Sequence, residues 1–94
     1  MRAVHPGRVL RRELEARGLS ANALALALRT PSGRITDILN EKRSVTTETA
    51  MRLGRYFGQN PRFWLNLQSI YDLATAEGRI GATIDAEVVP AKTG

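Results

Sequence analysis

The sequence predicts an all-α domain of five helices with a helix-turn-helix pattern, followed by a short C-terminal tail. Residues that cap or stop helices recur along the chain, and the apolar residues between them fall at helical spacing. Two short segments are joined by a very short link, "RTP", which is typical of a helix-turn-helix. At 94 residues the chain has room for one core. We therefore expect one domain over residues 1–78 and a tail over residues 79–94.

The first two predicted helices are bounded by residues that favour helix ends. Pro6 suits a first helical position and Gly18 suits the residue just after a helix, so a first helix is expected within "HPGRVLRRELEARGLS". Ser20 is placed to cap a second helix, "ANALALAL". The residues of these helices expected to face the core are Val9, Leu10, Leu14, Leu24 and Leu28.

The third helix carries the polar face on which the functional prediction depends. Thr30 as cap and Pro31 at the first position predict a helix that runs to about Asn40. Its apolar positions, expected to face the core, are Ile35, Ile38 and Leu39. The remaining positions turn outward and are Ser32, Gly33, Arg34, Thr36, Asp37 and Asn40. Short polar side chains allow a helix to approach base edges in the major groove of DNA, so this face is predicted to contact bases.

Two further helices and a tail follow. Thr46 caps a fourth helix, "TETAMRLGRYF", which Gly58 ends, and "NP" at residues 60–61 opens a fifth that is expected to stop at Gly78. The tail "RIGATIDAEVVPAKTG" carries glycines, a proline and several β-branched residues. It is compatible with a short strand, a docked extended arm or a disordered terminus.

The fifth helix is apolar around more than half of its circumference. One broad stripe contains Phe63, Trp64, Leu67, Ile70, Tyr71 and Ala74. Leu65 and Leu73 fall outside it. Because so wide an apolar surface needs more than one neighbour, a second subunit is expected to cover part of it. Phe63 and Leu67 are predicted to lie in the monomer core, and Leu65 and Leu73 in a dimer interface.

The charge of the chain indicates an anionic partner. The net charge is +5, and twelve of the fourteen cations are arginine. A small basic domain most often binds nucleic acid, although charge that serves solubility alone is the simpler explanation. Lys42 and Arg43 follow the third helix directly, where they would contact phosphates and position that helix without reading sequence.

The sequence contains few residues that support other functions. His5 is the one histidine and there is no cysteine, so no catalytic set, transition-metal site or cofactor is expected, and the chain is not predicted to be an enzyme. At a helix start, His5 is expected to cap or to pack. The longest apolar run, "ALALAL", is far too short to span a bilayer, and the arginines are spread over several capped helices, so no membrane partner is predicted. The absence of cysteine fits a cytoplasmic protein.

These segments resemble a known family over about residues 5–78. "HPGRVL", "GLSANALALAL", "GRITDILNEKRSVTTETAMRLGRYFG" and "NPRFWLNLQSIYDL" look like the HigA-type antitoxins of the phage-repressor-like (XRE) helix-turn-helix family. The first and the last of these stretches are the most specific. The resemblance implies a five-helix lambda-repressor-like domain that neutralises a toxin similar to HigB, which is an mRNA-cleaving nuclease. It also implies a homodimer that represses its own operon, so the operator is expected to be an inverted repeat.

The resemblance also assigns roles to particular residues. It implies base contacts for the outward positions of the third helix named above, and phosphate contacts for Ser20, Asn22, Lys42 and Arg43. Two positions depart from the family. Ala21 stands where a DNA-contacting glutamine is frequent. Arg29 replaces the usual glycine of the turn, so either the turn has a strained left-handed backbone or Arg29 ends the second helix in a different geometry. The alternatives are a solitary phage-type or plasmid-type regulator without a toxin, and a helical protein-interaction module without DNA binding.

Overall fold

The computed structural model describes residues 3–92, and within this range the chain forms five α-helices and no β-strand. The all-α prediction is therefore confirmed. The helices are α1 (Pro6–Arg17), α2 (Ala21–Leu28), α3 (Ser32–Leu39), α4 (Thr47–Phe57) and α5 (Arg62–Glu87). Residues 1–2 and 93–94, which the predicted domain and tail include, lie outside the described residues.

Most of the predicted helix ends are confirmed by the hydrogen bonds that cap them. The Ser20 hydroxyl accepts from the Ala23 amide at 3.0 Å. The Thr46 hydroxyl accepts from the Thr49 amide at 3.3 Å. Gly18 adopts the left-handed conformation directly after α1, where a residue without a Cβ is favoured.

The start of α3 differs from the prediction. Pro31, not Thr30, is the residue that precedes the helix, and no side chain caps it. Thr30 belongs instead to the end of α2, because its amide donates to the Ala25 carbonyl at 3.0 Å. Arg29 closes the same turn in the left-handed conformation, with φ 58°, which is the strained one of the two geometries that the sequence left open for this residue.

Helices α2 and α3 pack on each other, α1 lies against α3 and α5, and α4 lies against α2 and α5. The core between them consists of Leu10, Leu14, Leu24, Ala25, Leu28, Ile35, Ile38, Leu39, Val45, Ala50, Leu53 and Trp64. Val9 and Phe57 pack on its margin. No helix within residues 3–92 combines the length and the apolar character needed to cross a bilayer.

The predicted end of α5 at Gly78 is wrong, because the helix continues to Glu87. Neither Gly78 nor Gly81 adopts a left-handed backbone, and a helical glycine costs only about 1 kcal/mol relative to alanine. The helix ends ahead of Pro90, whose ring disfavours helical geometry at the preceding residue. Residues 79–87 are therefore not an extended or disordered tail, and only residues 88–92 lack regular structure.

The structure also corrects the assignment of side chains on α5. Trp64 is buried, but Phe63, predicted to lie in the core, is 42% exposed. Leu67 packs against the core as predicted, and Leu65 does so too, which leaves Leu65 little free surface for a dimer interface. Leu73 is 62% exposed.

Candidate nucleic-acid interface

The outer face of α3 has the composition that its sequence predicted. Ile35 and Ile38 are completely buried and fix the rotation of the helix. That rotation leaves four of the six predicted base-facing positions exposed, namely Ser32, Gly33, Thr36 and Asn40, and two half-buried, namely Arg34 and Asp37. All six therefore lie away from the core, five of them on α3 and Asn40 directly after its last residue.

Helix α1 holds α3 in place from behind. Gly7 approaches the Ile38 carbonyl so closely that a Cβ at this position would overlap with the carbonyl oxygen. The Arg11 guanidinium donates to the Leu39 carbonyl at 3.3 Å, which satisfies a backbone acceptor at the end of α3. These contacts fix the C-terminal end of α3 against α1.

The loop after α3 and the start of α4 form a cationic cleft of about 450 Å³. It is lined by the cations of Arg34 and Arg43, the carboxylate of Glu48, and the hydroxyl groups of Ser44, Thr46, Thr47 and Thr49. Arg43 lies 3.5 Å from the Asp37 carboxylate. Both partners are about half exposed, and such a pair contributes roughly 0–1 kcal/mol, so Arg43 is available to exchange its carboxylate for a phosphate.

The remaining predicted phosphate contacts are also on the surface. Ser20, Asn22 and Lys42 are exposed. The Ser20 oxygen accepts the capping bond from Ala23, which leaves its proton free to be donated to a phosphate. Thr47 was not singled out from the sequence. It lies in the first turn of α4 and lines the cationic cleft.

A model of the helix-turn-helix family matches residues 10–64, which span α2, α3 and α4. The chain belongs to the helix-turn-helix family. In helix-turn-helix proteins the second helix of the motif is called the recognition helix, and α3 has that position here. The predicted resemblance to the HigA-type antitoxins is confirmed by the relatives that follow.

Two solved antitoxins and one curated relative are similar along most of the chain. A HigA-family addiction-module antidote protein of Coxiella burnetii is 48% identical, with a TM-score of 0.93, over 97% of this chain and 100% of its own. The Pseudomonas aeruginosa antitoxin HigA, solved with the higBA promoter, is 43% identical, with a TM-score of 0.93, over 97% and 100%. Virulence-associated protein I of Dichelobacter nodosus is 53% identical over 82% of this chain and 72% of its own.

A buried glutamine joins α5 to the loop that follows the recognition helix. The Gln68 side-chain oxygen accepts from the Val45 amide at 2.8 Å, and its nitrogen donates to the Asp72 carboxylate at 2.8 Å. Val45 follows the part of the α3–α4 loop that carries Lys42 and Arg43. Gln68 therefore fixes this loop relative to α5. Gln68 was not predicted from the sequence, although its position four residues after Trp64 places it on the buried face.

His5 both caps and packs, as the sequence predicted. Its Nδ1 accepts from the Gly7 amide at 2.9 Å, which caps α1. Its ring meets the Tyr71 ring edge-to-face, with centroids 4.8 Å apart. Burial lowers the pKa of His5, and the carboxylates of Glu41 and Asp72 oppose that effect. The neutral imidazole is the form that can accept the capping bond.

Proposed function

We propose that this chain is a cytoplasmic antitoxin that binds operator DNA as a homodimer, represses its own operon and neutralises a HigB-like mRNA-cleaving toxin. The observation that carries the proposal is the short polar face of the recognition helix beside a cationic cleft. It occurs in a chain that is 43% identical, over 97% of its length, to an antitoxin solved with its promoter.

On DNA, the two parts of the surface have different tasks. Arg34 and Asn40 have the side chains that read guanine and adenine edges, respectively, in the major groove. Thr36, between them, offers a hydroxyl and a methyl group to a base edge. Lys42 and Arg43 bind phosphates and so determine how deeply the recognition helix enters the groove.

The homodimer is supported by an uncovered apolar stripe on α5, the α5 stripe. Its members are Phe63, Ile70, Leu73, Ile80 and Ile84, and each is at least 42% exposed. They recur at intervals of three, four or seven residues, which is the spacing by which one helix packs along another. A second copy related by a two-fold axis would cover this stripe. The sequence predicted Leu65 and Leu73 in the dimer interface. The proposed interface is instead the α5 stripe, which includes Leu73 and omits Leu65.

The DNA part of the proposal is tested by measuring affinity for the promoter of the chain's own operon and for random DNA at several salt concentrations. Replacing Arg34, Thr36 and Asn40 together by alanine should remove the preference for the promoter, and random binding should fall only by the loss of the one cation. Arg43→Ala should weaken both and reduce the salt slope by about one. Arg79→Ala, a single exposed cation on α5, is the control. Unchanged promoter affinity in the triple variant would show that α3 does not read the bases.

The toxin part is tested by co-expression with the protein encoded by the adjacent reading frame. An antitoxin should rescue growth from that protein and co-purify with it. A solitary regulator would bind the promoter without rescuing growth, and an interaction module would bind a protein partner but no DNA. The two measurements together therefore separate the proposed function from both alternatives.

A further inference from the structure

A second partly apolar surface lies between α2 and α4, and no residue of the α5 stripe lines it. It is an open groove of about 610 Å³, here called the α2–α4 groove. Its main lining residues are Ala27, Arg29, Met51, Arg52, Arg55 and Tyr56. Met51 is 58% exposed and Tyr56 is 43% exposed. The groove therefore combines two large uncovered apolar side chains with three guanidinium groups.

The three arginines of the groove are not equivalent. Arg52 is used within the fold, because it bonds to the Glu48 carboxylate at 3.0 Å and to the Leu28 carbonyl at 2.9 Å. Within residues 3–92, Arg29 and Arg55 have neither an ion pair nor a side-chain hydrogen bond. Glu48 is the one carboxylate that lines the groove, and Arg52 neutralises it. Two unpaired cations thus flank the exposed apolar side chains.

The backbone at Arg29 adds a second observation. Arg29 has φ 58° at the end of α2, a left-handed conformation that glycine adopts at no steric cost. Any side chain at this position strains the turn, and a long cation is not needed to close it. Arg29 therefore combines a strained backbone with a guanidinium group that has no partner within residues 3–92.

These features fit a different protein better than a second copy or DNA. A two-fold contact centred on the groove would bring its unpaired guanidinium groups towards those of the second copy, where like charges repel. Phosphates would pair with the arginines but leave Met51 and Tyr56 in water. Methionine, tyrosine and arginine are the residues enriched at the centres of protein interfaces.

We propose that the α2–α4 groove is the docking site for the toxin. The toxin contributes a segment that inserts an apolar side chain between Met51 and Tyr56 and sets carboxylates against Arg29 and Arg55. This inference rests on the proposed antitoxin function and adds to it the surface and the chemistry of the contact. It leaves the α5 stripe to the second copy and the recognition helix to DNA.

The test uses the full chain and the purified protein encoded by the adjacent reading frame, with affinity measured by calorimetry. Arg29→Gly removes the guanidinium and relieves the backbone, so its Tm should be unchanged or higher while the toxin binds more weakly. Combining it with Arg55→Glu should weaken toxin binding at least ~10²-fold, as expected for interface hot spots, with promoter affinity unchanged. Arg12→Glu, a charge reversal on the exposed face of α1, is the matched control and should bind the toxin normally.

Three results would overturn the inference. If the double variant bound the toxin as tightly as the wild-type chain does, the contact would lie elsewhere. If the Arg12→Glu control lost affinity for the toxin, the contact would lie on α1. A loss of promoter affinity in the double variant that matches its loss of toxin affinity would make the groove a phosphate site. If the wild-type chain binds its promoter but not the adjacent gene product, the antitoxin function itself fails and the docking site fails with it.

Discussion

At the scale of single residues, His5 combines a helix cap with a buried aromatic contact. Its Nδ1 must be unprotonated to accept from the Gly7 amide, and its ring is packed against Tyr71. Arg8, Glu41 and Asp72 are the charged groups around it. The neighbouring carboxylates would favour the imidazolium, but burial is the larger effect, so the pKa of His5 in the folded chain is below its usual value.

We therefore expect His5 to destabilise the fold at acidic pH. The unfolded chain takes up the proton near the ordinary pKa of 6.5, and the folded chain does so only at lower pH. The stability that neutral His5 contributes is thus present above pH 6.5, and it is lost as the pH decreases from there towards the pKa of His5 in the folded chain. Urea unfolding at pH 7.5 and 5.5 should show a larger loss for the wild-type chain than for His5→Asn, which keeps a capping oxygen. Equal losses in the two proteins would contradict this role for His5.

At the scale of helices, the contact of α1 with α3 determines how the recognition helix is held. Gly7 lies where the two helices come together, and the absence of a Cβ allows the Ile38 carbonyl to approach. The N-terminal end of α1 is capped there by His5, and Arg11 of the same helix donates to the Leu39 carbonyl at the end of α3. Any displacement of α1 would therefore be transmitted to the C-terminal end of the recognition helix.

Gly7→Ala should destabilise the domain by about 2 kcal/mol, because the added methyl group overpacks a contact with rigid backbone. Gly78→Ala is the matched control, since Gly78 is also helical and a Cβ there would meet nothing within 4 Å. That variant should gain up to about 1 kcal/mol from the better helix propensity of alanine. Thermal unfolding of both variants measures the difference. Equal Tm values would show that α1 can move away from α3 without loss.

At the scale of the whole molecule, α5 extends well beyond the four-helix body. The molecule measures 52 × 26 × 22 Å, and most of α5 after Tyr71 is exposed. A lone helix that carries apolar residues along one side is stabilised mainly by packing, so this extension is expected to have a partner. In the proposed dimer, the two α5 helices bring two recognition helices to a separation of about 34 Å, one turn of DNA.

Leu73→Asp combined with Ile80→Asp should yield a folded monomer, because four carboxylates would be buried in the dimer. Loss of the second recognition helix should weaken promoter binding by at least ~10²-fold, since the two half-sites no longer bind as one unit. Sedimentation at tens of micromolar measures the assembly. Thr75→Asp combined with Thr83→Asp places the same charges on other faces of α5 and should remain dimeric. A wild-type monomer under these conditions would exclude the dimer.

The sequence by itself determined the features that depend on neighbours within a few residues. The Ser20 and Thr46 caps and the Gly18 stop all follow from local backbone chemistry. The outer face of α3 also followed, because burial of Ile35 and Ile38 fixes the direction of every other side chain on a short helix. The class of the fold and its family were therefore readable before any tertiary contact was known.

Only the tertiary structure decided what depends on which elements meet. The bond from Val45 to Gln68, the space that Gly7 leaves for Ile38 and the gathering of arginines between α2 and α4 join residues distant in sequence. Periodicity placed Phe63 on the apolar stripe of α5, but it did not show which neighbour, if any, would cover that side chain. The continuation of α5 past Gly78 was equally undecidable, because glycine permits both a helix and a stop at nearly the same free energy. Which of these forms is realised depends on packing across the whole chain, and that packing is not encoded within any single local segment.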